Sequence, residues 1–448
     1  MTLRRPALIP PLLPALLGVL LAPEAATAQM DMSHMDHAQM DNGTMDHAQK
    51  DNAAQDHSEM DHGAMDMSWM SMDGMGSGTS RLPSTEPMSG IHIMPGAHDM
   101  IMLQTTVLPV YTDQGGPRGG QKFYAQSMAM GMWIHDLGGG AKLSGQAMLS
   151  LEPAMRHEGY PLLFATGEEA YGRPLFDRQH PHDLFMELSA RLDVPVAPGM
   201  RVFLYGGPVG EPALGPSAFM HRASAQYNPE APITHHWFDS THITYGVITA
   251  GLAGKTWQIE ASAFRGQEPD ERRWNIESPK FDSWSVRASL APSPQLLMQV
   301  SYGQLKQPEA SHPGENEHRF TTSAHYNNGR GLSAMAGFSA KTRVPGETRT
   351  AWLGEVNWDA NNHDTLFARI ENVNNDELFP DHADPLHDQA FRLTKFEVGY
   401  AYRLRLFGPV QVALGGTGAL FAKPAALGAA YGKNPIGATV FAKFSLTN

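Results

Sequence analysis

The sequence predicts an all-β fold: an antiparallel outer-membrane β-barrel of about 16 strands (12–18), preceded by a disordered tail. Three observations predict it. Apolar and polar residues alternate with a period of two through much of residues 95–448. Short and long connections alternate between the alternating stretches. Beyond the first 30 residues, no stretch approaches the roughly 18 to 20 unbroken apolar residues that a spanning helix needs, so a membrane could be crossed only by a closed barrel.

Successive side chains of a strand point to opposite faces, so period-2 patterning marks strands with one apolar and one more polar side. Trp284-Ser285-Val286-Arg287-Ala288-Ser289-Leu290 is a clean case, and Phe396 to Leu404 nearly repeats it over a longer run. The predicted strands are 100–111, 121–135, 141–151, 183–193, 199–207, 243–253, 256–265, 282–290, 295–304, 318–328, 331–341, 349–358, 363–373, 391–403, 408–420 and 436–446. Connections after every second strand are short and carry turn residues, as in Asn327-Asn328-Gly329 and Asp359-Ala360-Asn361-Asn362. The others are mostly long: 152–182, 208–242, 266–281, 305–317, 374–390 and 421–435, with 112–120 and 342–348 intermediate. Long loops at one end and short turns at the other are the arrangement of an outer-membrane barrel. It puts both termini on the periplasmic side.

A soluble sandwich or sugar-binding barrel is the rival, with its apolar face turned into a core. Trp133, Tyr205, Trp257, Trp284, Trp352 and Trp358 stand near strand ends, which suits interfacial girdles. The expected inner face holds charges of both signs: Glu187, Arg191, Glu260, Arg287, Glu355, Arg369, Glu371, Glu397 and Arg403. The ending Phe444-Ser445-Leu446-Thr447-Asn448 departs from the aromatic last residue usual in such barrels.

Three segments are expected. Residues 1–28 read as a signal peptide: Arg4 and Arg5, an apolar Leu8–Leu21 stretch, then Ala26-Thr27-Ala28 as small-x-small cleavage site. Residues 29–94 read as a disordered Met/Asp/His-rich tail and linker, and residues 95–448 as the barrel. Residues 29–80 hold nine Asp, Glu59 and the single Lys50, so most of the net charge of −13 lies there and nothing points to nucleic acid. The chain has no cysteine, so soft-metal chemistry must use Met or His.

The tail repeats every five residues, with Asp at 31, 36, 41, 46, 51, 56, 61 and 66 and mostly Met before it. Five matches neither a helix nor a strand period, and no Ile, Leu, Val or Phe occurs between 29 and 80, so the segment cannot offset its ordering entropy. The candidate metal ligands are Met30, Met32, His34, Met35, His37, Met40, Met45, His47, His57, Met60, His62, Met65, Met67, Met70, Met72 and Met75. Thioethers are soft and favour Cu(I), and they keep their lone pairs in acid, where imidazoles are lost to protonation. Interleaved Asp concentrates cations. The bland alternative is a solvated acidic linker, for which Met is an unusual choice.

Met35-Asp36-His37 and Met60-Asp61-His62-Gly63 resemble the Met/His-rich N-terminal region of copper-resistance outer-membrane protein B. The resemblance covers about 50 of 448 residues and implies copper handling. The expected cargo is copper, Cu(I) ahead of Cu(II), with silver or zinc as further candidates. Expected partners are metal ions, outer-membrane lipid and periplasmic copper proteins.

Two loop segments add a second candidate. His180, His182 and Asp183 close the first long loop; His235, His236, Asp239 and His242 close the second. Both enter downward strands, so they can meet at the outer mouth as a Cu(II), Zn(II) or Ni(II) site, or serve as hydrogen-bonded loop anchors. No Gly-x-Ser-x-Gly, phosphate loop or His-Glu-x-x-His occurs, so no enzyme is expected. The expected function is copper resistance by sequestration or export. A general porin with an incidental tail, or a soluble periplasmic metal-binding β protein, are the alternatives. A peptide of residues 29–80 is expected to bind Cu(I) more tightly than a Met-free version in competition with a chromogenic chelator; equal affinities overturn that reading of the tail.

Overall fold

Alternation becomes a closed wall. The computed structural model describes residues 74–446, so the expected signal peptide and the tail ligands from Met30 to Met72 lie outside the described residues. The described strands begin with β1 (Ile91–Gly96), β2 (Asp99–Gln114), β3 (Gly120–Gly138), β4 (Ala141–Leu149), β5 (Tyr160–Ala170), β6 (Arg173–Gln179) and β7 (Phe185–Ala197). They continue with β8 (Met200–Gly210), β9 (Thr244–Ala253), β10 (Trp257–Phe264), β11 (Ser283–Ser293), β12 (Leu296–Leu305) and β13 (Asn316–Asn327). The last six are β14 (Leu332–Val344), β15 (Thr348–Asp359), β16 (Asp364–Asn375), β17 (Phe391–Phe407), β18 (Val410–Ala422) and β19 (Ile436–Leu446).

Each wall strand pairs antiparallel with the next, β4 skips to β7, and β19 closes on β2 with Gly437 opposite Gln114 and Ser445 opposite Thr106. The result is a closed barrel of 16 strands. Every predicted strand is one of them. A sandwich is excluded because no wall edge is left open. Inner positions are buried: Gln258, Glu260, Arg287, Glu355, Arg369, Glu371 and Glu397. Outer positions are apolar and exposed, among them Leu204, Ile259, Val300, Ile370, Leu420 and Val440, with Val398 66% exposed. Such a continuous apolar belt is compatible with lipid and not with water.

Four of the six aromatic girdle candidates, Trp133, Trp284, Trp352 and Trp358, face outward and exposed, and half-buried Trp257 shares the outward face with Ile259, opposite buried Gln258. Tyr205 does not. It points inward, 3% exposed, and donates to Glu187 Oε1 at 2.8 Å.

The lumen is filled. The 33-residue connection 211–243 folds inward, and its Arg222 donates to Glu355 on β15 through Nε and Nη2, both at 3.0 Å. Glu230 of the same loop meets Lys395 on β17 at 2.6 Å, and Arg287 on β11 donates to Gly215 O at 3.0 Å. Charges this far from water persist only when paired.

Three expectations are corrected. Residues 74–94 are not linker: 74–82 turn into the lumen, where Thr79 accepts from Gln258 at 2.8 Å and Arg287 at 3.1 Å, and Ser77 bonds Ser217 at 3.2 Å. The next residues cross the short-turn end, where Thr85 Oγ1 donates to Asn327 O at 2.7 Å. β1 then occupies the part of the β2 edge that β19 leaves free, with Ile91 opposite Leu103. Finally, the loop 152–182 holds a hairpin, β5 with β6. Its strands and the 74–82 turn are held by hydrogen bonds to other chain segments, which period-2 patterning does not reveal.

Glu355 compensates both Arg222 and Arg369, whose Nε lies at 3.0 Å. Glu355→Ala should therefore cost about 3–5 kcal/mol in detergent-phase unfolding. Glu347→Ala, at an exposed site, should stay within about 0.5 kcal/mol.

Candidate metal centre

The two histidine segments meet. Gln179 ends β6 inside the lumen and delivers His180-Pro181-His182 there. One helical turn, α1 (His235–Phe238), followed by the tight turn Ser240–His242, places His235, His236 and His242 against them. All five rings are buried. Ring centroids lie 6.0 Å apart for His180 and His235, 5.9 Å for His180 and His236, and 5.3 Å for His182 and His242. His235 bridges the set, 5.3 Å from His236 and 5.1 Å from His242. The five rings thus form one buried cluster at the long-loop end, the imidazole chamber.

Orientation follows from the second nitrogen of each ring. His235 Nδ1 meets Asp239 Oδ1 at 2.8 Å, and His182 Nδ1 meets Glu152 Oε2 at 2.9 Å. His242 Nδ1 meets the Asp239 carbonyl at 2.7 Å, and His180 Nδ1 the Pro181 carbonyl at 3.1 Å. Carbonyls and carboxylates only accept, so Nδ1 carries the proton in all four rings. For His182 burial is outweighed by the Glu152 carboxylate, which raises the pKa, so an ion at its Nε2 competes with a proton. The Nε2 atoms of His182, His236 and His242 are buried without a hydrogen-bond partner, whereas His180 Nε2 faces Glu168 and His236 Nδ1 faces Glu268, each at 3.4 Å. A ring anchored through one nitrogen and bare at the other is the disposition of a metal-ligating histidine.

His180, His235 and His236 each offer a ligand atom within 4.8 Å of the others, and Glu168, His236 and Glu268 form a second such group. Three imidazoles are a ligand set that a four-coordinate ion takes. Burial, with Arg273 and the neighbouring rings, holds His180 well below its ordinary pKa. Burial and His235 do the same for His242. Burial also lowers His235, against the pull of Asp239. These three are neutral and ready to ligate. For His236 burial is outweighed by the Glu268 carboxylate 3.4 Å away, which lifts it to about 9, so an ion entering there displaces a proton.

The carboxylates expected from the sequence take supporting places. Asp239 orients two histidines while its Oδ2 accepts from Phe219 N at 3.0 Å and Arg222 at 3.2 Å. Burial opposes its charge, but His235 and Arg222 hold it well below the usual carboxylate range. Asp183 is held by Arg273 and by the Tyr245 hydroxyl, both at 3.1 Å. Glu152, Glu168, Glu268 and Arg273 were not singled out from the sequence; single charges in separate loops carry no pattern there. Of the tail ligands only Met75 is described, half-buried and bridged to Arg81 away from the imidazoles.

No protein-family model and no curated protein matches the chain. Among solved structures it is similar to OmpF of Salmonella typhi, solved in complex with daunomycin. That likeness has a TM-score of 0.51 and 10% identity, over 80% of this chain and 100% of that one. It is also similar to an anion-selective porin from Comamonas acidovorans (TM-score 0.47, 12% identity, 78% and 100% covered). OprB of Pseudomonas putida gives 0.47 and 10% over 78% and 94%. The fold is that of the outer-membrane porins.

Gly167 makes room for the chamber. Its φ is +108°, and a Cβ there would lie 2.6 Å from His236 Nδ1. Gly167→Ala should cost about 1–3 kcal/mol in urea unfolding and displace His236. Gly172→Ala, also at positive φ but with open space around it, should cost less.

Proposed function

We propose that this chain is an outer-membrane barrel of the bacterial envelope that binds copper and acts in copper resistance by sequestration or export. In this reading the Met/Asp/His-rich tail lies in the periplasm. One observation carries the reading: five buried histidines, four anchored through Nδ1, with unpartnered ring nitrogens gathered in one chamber. Loop anchors alone would satisfy both nitrogens of each ring, because an unpaired buried polar atom costs about 1–3 kcal/mol. Imidazole takes Cu(I), Cu(II) and Zn(II), so the centre and the thioether tail are suited to the same element. Gly74 lies at the short-turn end, its α-carbon beside Leu82 and Ser84, which supports a tail on the periplasmic side.

A general porin-like channel is the second reading, favoured by the fold. The inward loop 211–243 speaks for a narrow or closed lumen, and single-channel conductance separates the two. The full chain should bind one more Cu(II) or Zn(II) than its His180→Ala/His236→Ala variant. Asp239→Asn should weaken that site by about 10–100-fold. Cells carrying the double variant should lose copper tolerance. Equal metal content and equal tolerance, with porin-sized conductance, would hand the protein to the second reading.

A further inference from the structure

Methionine is unevenly placed in the wall. Residues 81–448 contain fourteen, and seven lie on the inner face of four neighbouring strands. They are Met100 and Met102 on β2, Met128, Met130 and Met132 on β3, Met148 on β4, and Met186 on β7, all buried. The eleven strands β9 to β19 carry only Met298 and Met335. Elsewhere the inner wall is polar or charged, as at Glu260, Arg287 and Thr321, or carries Val, Leu and Phe, as at Val110, Leu353, Phe367 and Leu393, with Met335 as the one buried methionine of β9 to β19. Met102 stands directly opposite Met132, and Met130 directly opposite Met148. Opposed residues have Cβ atoms about 4.5–5.5 Å apart, close enough for two flexible thioethers to share one ion.

Core packing is the plain alternative, since methionine fills irregular gaps. Two observations go against packing alone. Met128, Met130 and Met132, although part of a packed cluster, also border a cavity of about 240 Å³, which Met75, Met88 and Met220 line as well. His221 lines the same cavity with its Nε2 buried and unpartnered. Thioether sulfurs with an unpartnered imidazole nitrogen on one side of this space favour a soft monovalent cation over a hard or divalent one, while Glu86, Arg222, Asp359, Arg403 and Lys443 complete the lining.

The cavity also has a direction. Asp359, Gln411 and Leu446, at strand ends beside the short turns, form its lower rim. At the upper end Met186 and Met220 join Ile243 and Tyr245 in the same apolar cluster, and Ile243 follows His242 of the imidazole chamber. We propose that the methionine-lined wall of β2, β3, β4 and β7, with Met75, Met88, Met220 and His221, binds Cu(I) or Ag(I) and connects the short-turn mouth to the imidazole chamber. The ion keeps its oxidation state, because imidazole also ligates Cu(I). Only the choice of copper as cargo rests on the proposed function; the preference for a soft ion rests on the thioethers.

The test uses the full chain with the ten tail methionines from Met30 to Met72 replaced by serine. Titrated with Ag(I) in detergent, it should bind at least one equivalent, and Cu(I) X-ray absorption should show sulfur neighbours. Adding Met128→Leu, Met130→Leu and Met132→Leu should weaken Ag(I) binding at least tenfold, while Met335→Leu changes nothing. If the triple variant fails to show the folded heat-modifiable band, Met130→Leu alone should lower both affinity and sulfur count. No Ag(I) bound by the serine-tailed chain, or binding indifferent to the leucines, overturns the proposal. Cu(II) content of the His180→Ala/His236→Ala protein is read separately, so loss of either site is recognised without the other.

Discussion

Closure of the backbone ladder between β19 and β2 is the constraint on which the rest depends. In hydrocarbon no water can satisfy an open strand edge, so the wall must return to its own first strand. Where β19 leaves the lower part of β2 unpaired, β1 supplies the missing partner. Sixteen strands enclose a space too wide for wall side chains to fill. Loops and the N-terminal turn therefore fold into it, and their polar groups must find partners there.

That requirement explains the buried charges. Arg222, Arg287, Arg319, Lys341 and Lys395 are among the largest fully buried side chains, and each meets a carboxylate from the wall or a loop. The ion pairs tie the inward loop to β15 and β17. They also immobilise Asp239, and through it His235 and His242. Geometry at the imidazole chamber is thus held from β15 across the lumen. Against this background of pairing, the bare Nε2 atoms of His182, His236 and His242 stand apart.

Two donor sets occupy different heights of the barrel. Imidazoles and carboxylates gather beneath the long loops, whereas thioethers line the wall toward the short turns. The division follows the chemistry of each surface: Asp and Glu anchors need loop backbone and arginine partners, and Met needs only an apolar wall. Thioether and imidazole donors differ in softness and in response to acid.

Much of this was legible in the sequence. Strand alternation is local, and lipid outside with a polar lumen inside imposes it on every wall strand, so all sixteen could be read from residues two apart. The five-residue repeat of the tail was legible for the same local reason. The turn at 74–82 was not, because Ser77 and Thr79 are buried by hydrogen bonds to residues 140 or more positions away. Tyr205 sits near a strand end like the girdle aromatics, and only the register showed it facing Glu187. His180, His182, His235, His236 and His242 could be named from sequence, but a histidine-rich loop carries no record of what its nitrogens face. Their convergence, the carboxylates that orient them and the gathering of methionines on four strands were decided by tertiary structure. Each depends on which distant segments share one lumen, and closure of the wall sets that.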